Sequence, residues 1–444
     1  MKKLISLMVA MLLFGFLFQV GHLSYAKGPK PEYFVDESKL PFEEIPGLET
    51  ERYWGIHNNA GYRIEIPVAW NGDLVMWAHG YAGDGLELEV DNPPHREWLI
   101  ANGYAWAASS YSKNAYDVAQ GAKDTHALTK FFNGIAGKPN RTYITGVSMG
   151  GHITAVIIEQ WPNTYDGAMP MCGVMGDYEL FDFFLDFNLV AQALAGVDAQ
   201  YPPADDYLTV TVPYVKSELE WLPNTFPFTL NTQGEQLKAV TKLRSGGERP
   251  TFDQGFLFWN GVAGDFLFGL GTGTGALTNV KGMPVDNADA VYQFDTDPAL
   301  TPEEQSLNET VLRLTRDPQA RHPNGLANVP VVSGDITIPV LTLHTIGDLF
   351  VPFSMEQIYA QRVAENGASH LLVQRAIRDV GHCTFTGEEI IMGFVDLVSW
   401  VEYGISPAGD NLLDPAEVAD PGFGCAFTSE GRVYPPPLSI PSCP

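Results

Sequence analysis

The chain has 444 residues, with 26 Lys or Arg against 53 Asp or Glu, for a formal net charge of −27 at pH 7. That acidity argues against nucleic acid and anionic membrane surfaces as partners, and it fits solubility outside a cell. The length exceeds the ~100–200 residues of a usual single core, so a large unit carrying an insertion is expected.

Residues 1–26 have the pattern of a secretory signal peptide. Lys2 and Lys3 precede an apolar run from Leu4 to Val20, and Ser24-Tyr25-Ala26 is a small-x-small cleavage site. No cysteine lies near the cut, which argues against a lipoprotein anchor. No later stretch is apolar and long enough to span a bilayer. The expected product is a soluble, exported chain of 418 residues (444 minus 26). Its net charge is −29, because the segment removes two lysines and no acid.

Residues 27–50 are polar and Pro-rich and read as an extended leader. Tyr62 to Val68 alternates apolar and polar as a strand does, and Asn71-Gly72 predicts a hairpin turn. Asp73 to Ala78 reads as a buried strand ending at His79-Gly80. A helix follows over Arg96 to Asn102, a strand over Tyr104 to Tyr111, and a helix over Tyr116 to Asn133. A strand then runs up to Ser148, a helix covers Met149 to Trp161, and a strand covers Gly167 to Cys172. This alternation implies βαβ units, an α/β fold with a mostly parallel sheet flanked by helices.

The rhythm breaks over residues 177–333, which are rich in aromatics, Pro and Gly. It returns with a strand over Ile338 to His344, a helix over Met355 to Asn366, a strand over His370 to Ala376 and a helix over Glu388 to Tyr403. The expected organisation is a core of residues 27–176 and 334–404, an insertion of residues 177–333 and a Pro-rich tail of residues 405–444.

Four cysteines in an exported chain suggest disulfides, and four allow three pairings. Cys425 with Cys443 is favoured because it would staple the Pro-rich tail. Cys172 and Cys383 remain, either bridged to each other or as two buried thiols. The Cys and His spacings of zinc sites are absent, and neither a metal nor a cofactor is expected.

Residues 146–150 read Gly-Val-Ser-Met-Gly at a strand-to-helix junction. A serine on so sharp a turn is held in a strained conformation that exposes its Oγ, and the flanking glycines avoid collisions. Ser148 is therefore the expected nucleophile. A hydroxyl needs a histidine to take its proton and a carboxylate to orient that histidine. His382, in Asp379-Val-Gly-His-Cys383 just past the last strand, is the expected base. His344 sits in mid-strand and His322 and His370 lack suitable surroundings. Asp348, in Thr345-Ile-Gly-Asp-Leu, is the expected acid, with Asp177 as its rival and Asp379 as a loop cap. An oxyanion hole needs two backbone N–H groups, expected from Met149 and from Tyr81 in the His79-Gly80-Tyr81 loop, where His79 itself reads as structural.

Together, His79-Gly80, Gly146-Val-Ser-Met-Gly150, Gly347-Asp348 and Gly381-His382 resemble the α/β-hydrolase superfamily over about residues 60–176 and 335–403. The resemblance implies that the insertion is a cap or lid over the serine. His382-Cys383 is similar to the tannase and feruloyl esterase group, in which the cysteine after the histidine pairs with one just before the serine. Here that earlier position is Val147, so the motif is half present. A bridged Cys383 would take Cys172 and tie the histidine loop to a neighbouring strand end.

The insertion's aromatics, among them Phe181, Phe184, Phe187, Trp221, Phe226, Phe228, Phe256, Trp259 and Phe266, are mostly ordinary core. Those near the mouth would favour an apolar or aromatic acyl group. The run from Gly269 to Gly275 lacks the strand and the Lys-Ser/Thr of a nucleotide loop and reads as a turn. The acidic groups around Asp286–Asp289 and Asp295–Asp297 lack calcium-loop spacing and read as solvated loops. The expected activity is a secreted carboxylic ester hydrolase acting on a small molecule. A peptidase or amidase of the same fold is the alternative, and a non-catalytic binding protein the third reading.

Overall fold

Eight strands form one sheet in the order β1-β2-β4-β3-β5-β6-β7-β8. They are β1 Thr50–His57, β2 Ala60–Pro67, β3 Leu74–Ala78, β4 Ala105–Ser109, β5 Thr142–Val147, β6 Gly167–Met171, β7 Val340–Thr345 and β8 Leu372–Ile377. Strand β2 runs antiparallel to both β1 and β4, and every other pairing is parallel. This computed structural model describes residues 32–221, 229–271, 283–318, 320, 329–430, 432 and 438–444.

The strand sequences explain the layers. β3 is Leu-Val-Met-Trp-Ala, buried along its whole length, as a parallel strand covered on both faces must be. Its side chains alternate between two cores. Leu74, Met76 and Ala78 join the core that holds Phe132 and Ile153, from helices α2 (Val118–Ala136) and α3 (Met149–Gln160). Val75 and Trp77 join the other, with Leu99 from α1 (Arg96–Ala101) and Phe394 from the last long helix, Gly387–Tyr403.

One turn differs from expectation. The hairpin lies at Asn58-Asn59, both at positive φ (52° and 66°), between β1 and β2. Asn71-Gly72 sits instead in the crossing from β2 to β3, because β2 pairs with β4 and the chain must pass that strand first. There the Asn71 side chain accepts the Asp73 N–H at 2.9 Å, an Asx turn rather than a strand reversal.

Between β6 and β7 the described residues hold helices and no strand. They are α4 Glu179–Leu194, α5 Val212–Glu218, α6 Thr232–Arg244, α7 Phe252–Leu257, α8 Phe266–Leu270 and α9 Pro302–Thr310. α4 is buried on nearly every side, so even its carboxylate Asp186 is paired, with Arg244 at 2.7 Å and Tyr292 at 2.6 Å. After β7 come α10 Ser354–Glu365, α11 Gly387–Tyr403 and α12 Pro415–Val418. Among the described residues no helix is long and apolar enough to cross a membrane. Both disulfides form, Cys172–Cys383 and Cys425–Cys443. Phe226, Phe228 and residues 272–275 of the glycine-rich run lie outside the described residues.

Candidate active site

Ser148 stands between β5 and α3 with φ 56° and ψ −121°, a region costly to a residue with a Cβ. The turn is that tight because backbones meet around it. A Cβ on Gly146 would lie 2.3 Å from the Gly150 carbonyl oxygen, and one on Gly150 would lie 2.0 Å from that of Ala78. Ser148 is half-buried, and its N–H donates to the Met171 carbonyl at 3.0 Å.

His382 lies in the loop after β8. Its Nδ1–H donates to Asp348 Oδ2 at 2.6 Å. The other oxygen of Asp348 accepts the N–H groups of Phe350 and Val351 at 2.8 and 3.1 Å, so the buried carboxylate is held at both ends. The loop is braced on several sides. Asp379 Oδ1 accepts the Val380 and Gly381 N–H groups. Thr345 donates to the Gly381 carbonyl at 2.7 Å, and the Trp259 indole N–H donates to the Val380 carbonyl at 2.8 Å. The Phe350 ring packs edge-on against the His382 imidazole, with centroids 4.9 Å apart.

The Cys172–Cys383 bond links this loop to the end of β6, the neighbour of the strand that carries Ser148. Val147 and Met171 are register partners of β5 and β6, so Ser148 and Cys172 are the next residues of adjacent strands, and Cys383 follows His382. The donor atoms of Cys172, His382 and Cys383 lie within 4.8 Å of one another. Both sulfurs are spent in the disulfide, which leaves one nitrogen and no metal-binding set there.

Asp177 is turned to other work. It accepts from Arg362 at 2.6 Å and from the Tyr178 and Val332 N–H groups. Burial raises its pKa, and the Arg362 charge opposes that rise. His344 is buried behind Asp348 and donates from Nε2 to the Val351 carbonyl at 2.8 Å. Burial lowers its pKa, but Glu356, Asp348 and the Val351 carbonyl outweigh burial, and the net shift is upward. The acidic loops cap their own turns: Asp286, Asp295 and Asp297 each accept the N–H two residues on, and Asp286 also pairs with Arg316.

The His79-Gly80-Tyr81 loop lies against the serine, such that a Cβ on Gly80 would sit 3.3 Å from Ser148 Cβ. Met149 opens α3, so its N–H is among the free donors of a helix start. Several contributors to the site carried no sequence signal. Trp259 stood among the insertion's aromatics without a role of its own, and Phe350 carried no expectation. Arg249 donates to the Ile346 carbonyl at 2.5 Å beside Gly347-Asp348, and burial pushes its guanidinium down to about 9 against the opposing charges of Glu248 and Asp348. Tyr111 lies just beyond β4, next to the end of β3, and only that adjacency, visible once the strand order is known, marks it.

The strand order, the antiparallel β2, and the serine, acid and histidine following β5, β7 and β8 in turn define the α/β-hydrolase fold. No protein-family model matches the chain. It is similar to an o-phthalyl amidase of Xanthobacter agilis, 22% identical over 428 residues, covering 85% of this chain and 93% of the amidase. Among solved structures it is similar to feruloyl esterase B from Aspergillus oryzae, with a TM-score of 0.44 and 13% identity, covering 83% of this chain and 84% of that one. An acylaminoacyl peptidase from Pyrococcus horikoshii has a TM-score of 0.37 and 9% identity, covering 82% of this chain and 44% of the peptidase.

Proposed function

We propose that the chain is a serine hydrolase that cleaves carboxylic esters through an acyl-enzyme on Ser148. As the Ser148 Oγ–carbon bond forms, His382 Nε2 takes the hydroxyl proton while Asp348 stabilises the imidazolium. The N–H groups of Tyr81 and Met149 meet the oxyanion, the latter aided by the positive end of α3. His382 then gives its proton to the leaving alkoxide as the carbon–oxygen bond breaks. Water, deprotonated by His382, attacks the acyl carbonyl and returns the free acid and Ser148.

The observation that carries this reading is the 2.6 Å His382–Asp348 hydrogen bond at the sheet end where Ser148 holds its left-handed turn. Helices α4–α9 serve as a cap in this reading. The aromatic cluster that Phe350 builds beside His382 with Phe184, Trp259 and Phe266 favours an apolar or aromatic acyl group. Two disulfides fit an exported enzyme whose first 26 residues are removed.

Amide cleavage is the second reading, favoured by the likeness that runs through 93% of the amidase. The mature protein, assayed on p-nitrophenyl esters and matched acyl anilides, should turn over esters faster, label at Ser148 with a fluorophosphonate, and lose both properties in Ser148→Ala. Faster anilide turnover would make it an amidase. Neither turnover nor labelling would leave a binding protein.

A further inference from the structure

Tyr111 lies just beyond β4, beside the end of β3, because Trp77 and Ala108 are register partners in these neighbouring strands. It is 1% exposed and has φ 58°, a conformation that bulky residues adopt only when the surroundings impose it. Two hydrogen bonds hold it there: the Tyr111 N–H donates to Ser109 Oγ at 3.0 Å, and Ser110 Oγ donates to the Tyr111 carbonyl at 2.7 Å.

What this conformation achieves is contact with the loop against Ser148. The Tyr111 hydroxyl donates to the His79 carbonyl at 2.9 Å. Its ring stacks on the His79 imidazole, with centroids 4.1 Å apart and planes 19° from parallel. That imidazole in turn donates from Nδ1 to the Gly80 carbonyl at 2.7 Å. In a planar trans peptide the C=O and the following N–H point in opposite directions. Anchoring the His79 carbonyl therefore sets the direction of the Gly80 N–H, and anchoring the Gly80 carbonyl sets that of the Tyr81 N–H. The Tyr111 hydroxyl holds the first of these planes, and the His79 ring on which Tyr111 stacks holds the second.

We propose that Tyr111 is a positioning residue for the oxyanion hole: its hydroxyl fixes the His79 backbone and its ring stacks on the His79 imidazole, whose Nδ1 holds the Gly80 carbonyl and thereby aims the Tyr81 N–H. The proposal rests on Ser148 as nucleophile and Tyr81 as oxyanion donor. Tyr111 is buried and acts through His79, so its effect belongs to the step in which the carbonyl oxygen becomes charged. A donor that is present but misaimed loses part of the ~100- to 1,000-fold that a deleted one costs.

Tyr111→Phe keeps the ring but removes the hydroxyl that fixes the His79 backbone, from which the His79 imidazole reaches the Gly80 carbonyl and sets the Tyr81 N–H. For a p-nitrophenyl ester, kcat should fall by about tenfold with KM changed by less than about twofold, the pattern of a lost transition-state interaction. A trifluoromethyl ketone bearing the same acyl group, whose adduct carries the oxyanion, should bind more weakly by the same factor, while the product acid binds as before. A merely structural tyrosine would lower the unfolding temperature without this coupled loss. If Tyr111→Phe does not fold, Ser109→Ala, which releases one restraint on the Tyr111 backbone, should show a smaller loss of the same coupled kind. A folded variant with unchanged kcat and unchanged ketone affinity overturns the proposal. Failure of the wild type to label with a fluorophosphonate overturns instead the serine-hydrolase reading beneath it.

Discussion

Cys172 and Cys383 are joined across 211 residues of chain, with their Cα atoms 5.4 Å apart. One end follows β6, whose Met171 carbonyl accepts the Ser148 N–H, and the other follows His382. The bond thus spans the two halves of the proposed proton transfer from serine to histidine. In a chain-entropy view, closing so long a loop is worth about 5 kcal/mol. Its effect on rate comes from geometry, because a misplacement of 1 Å costs ~100-fold in a positioned reaction. A Cys172→Ser, Cys383→Ser double variant should keep its far-UV circular dichroism and lose ~10- to 100-fold in kcat. Wild-type turnover from that variant, with thiol counting to verify that only Cys425–Cys443 remains bridged, would mean that the loop is held without the bond.

The two candidate acids separate by their partners. Asp348 serves His382, whereas Asp177 serves Arg362. Asp348→Asn should lower kcat by ~10,000-fold with little change in stability, since an amide presents the wrong group to Nδ1 and disturbs the tautomer. Asp177→Asn should leave kcat within a few fold of wild type and cost about 3–5 kcal/mol in denaturant titrations, because it strands the buried part of Arg362. The reverse pattern would exchange their roles.

Much of the core was legible from periodicity and motif. β3, β5 and β6 are short apolar runs bounded by turns, and each matches its expected span to within a residue or two. The elbow is readable because its five residues are contiguous and Gly146 is required by a contact within one strand–turn–helix unit, although Gly150 is required by the Ala78 carbonyl of β3. β1 escaped notice because Thr-Glu-Arg-Tyr-Trp-Gly-Ile-His carries charge and half-exposed aromatics, as an edge strand covered on one side does. Tyr111 and Phe350 carry no local signal, and Trp259 none that separates it from the other aromatics of the insertion, for a different reason. Their roles are contacts with residues distant in sequence, and no local pattern distinguishes a tyrosine that stacks on His79 from one that fills a core.

The tail reaches the site through Arg432. Its guanidinium pairs with Asp379 and Glu389 and donates to the Thr384 carbonyl at 2.8 Å, so it straddles the loop that carries His382. Asp379 also caps that loop through the Val380 and Gly381 N–H groups. Arg432→Gln leaves two largely buried carboxylates without their cation. It should cost about 3 kcal/mol in stability and lower kcat several-fold. Arg432→Lys should recover the stability in part and the rate less, since an ammonium lacks the fork that spans both acids. Equal recovery of both by lysine would reduce the contact to charge alone.

Acid sensitivity follows from buried histidines. Burial pushes His95 down to about 4 and His152 likewise to about 4, against 6.5 for a free imidazole. As pH falls below about 6.5 the unfolded chain takes up these protons first, so stability is lost between about 6.5 and about 4, by about 3 kcal/mol per residue. Carboxylates raised by burial, such as Asp177 and Asp186, act in the opposite sense, because the folded state protonates first there. A single-site comparison removes that offset. No ring nitrogen of His95 has a hydrogen-bond partner among the described residues, and the ring lies against Trp77 and Phe394. His95→Leu should therefore gain on wild type by about 2 kcal/mol between pH 7 and pH 5 in urea titrations. A constant difference across that range would contradict a neutral, buried His95.

Selectivity for the acyl group should pass through Phe350. Its ring is 4.9 Å from the His382 imidazole, 4.9 Å from Phe266, 6.1 Å from Trp259 and 6.2 Å from Phe184. A ring that touches the base and continues into the cap aromatics stands where an acyl group attached to Ser148 would find apolar surface. Phe350→Ala removes one aromatic contact face, worth about 1.5–3 kcal/mol to a group that packs on it fully. The kcat/KM for a benzoyl ester should fall at least tenfold, while that for the acetyl ester, too short to reach the ring, changes by less than about threefold. Equal losses for both esters would place the role of Phe350 in holding the imidazole rather than in reading the acyl group.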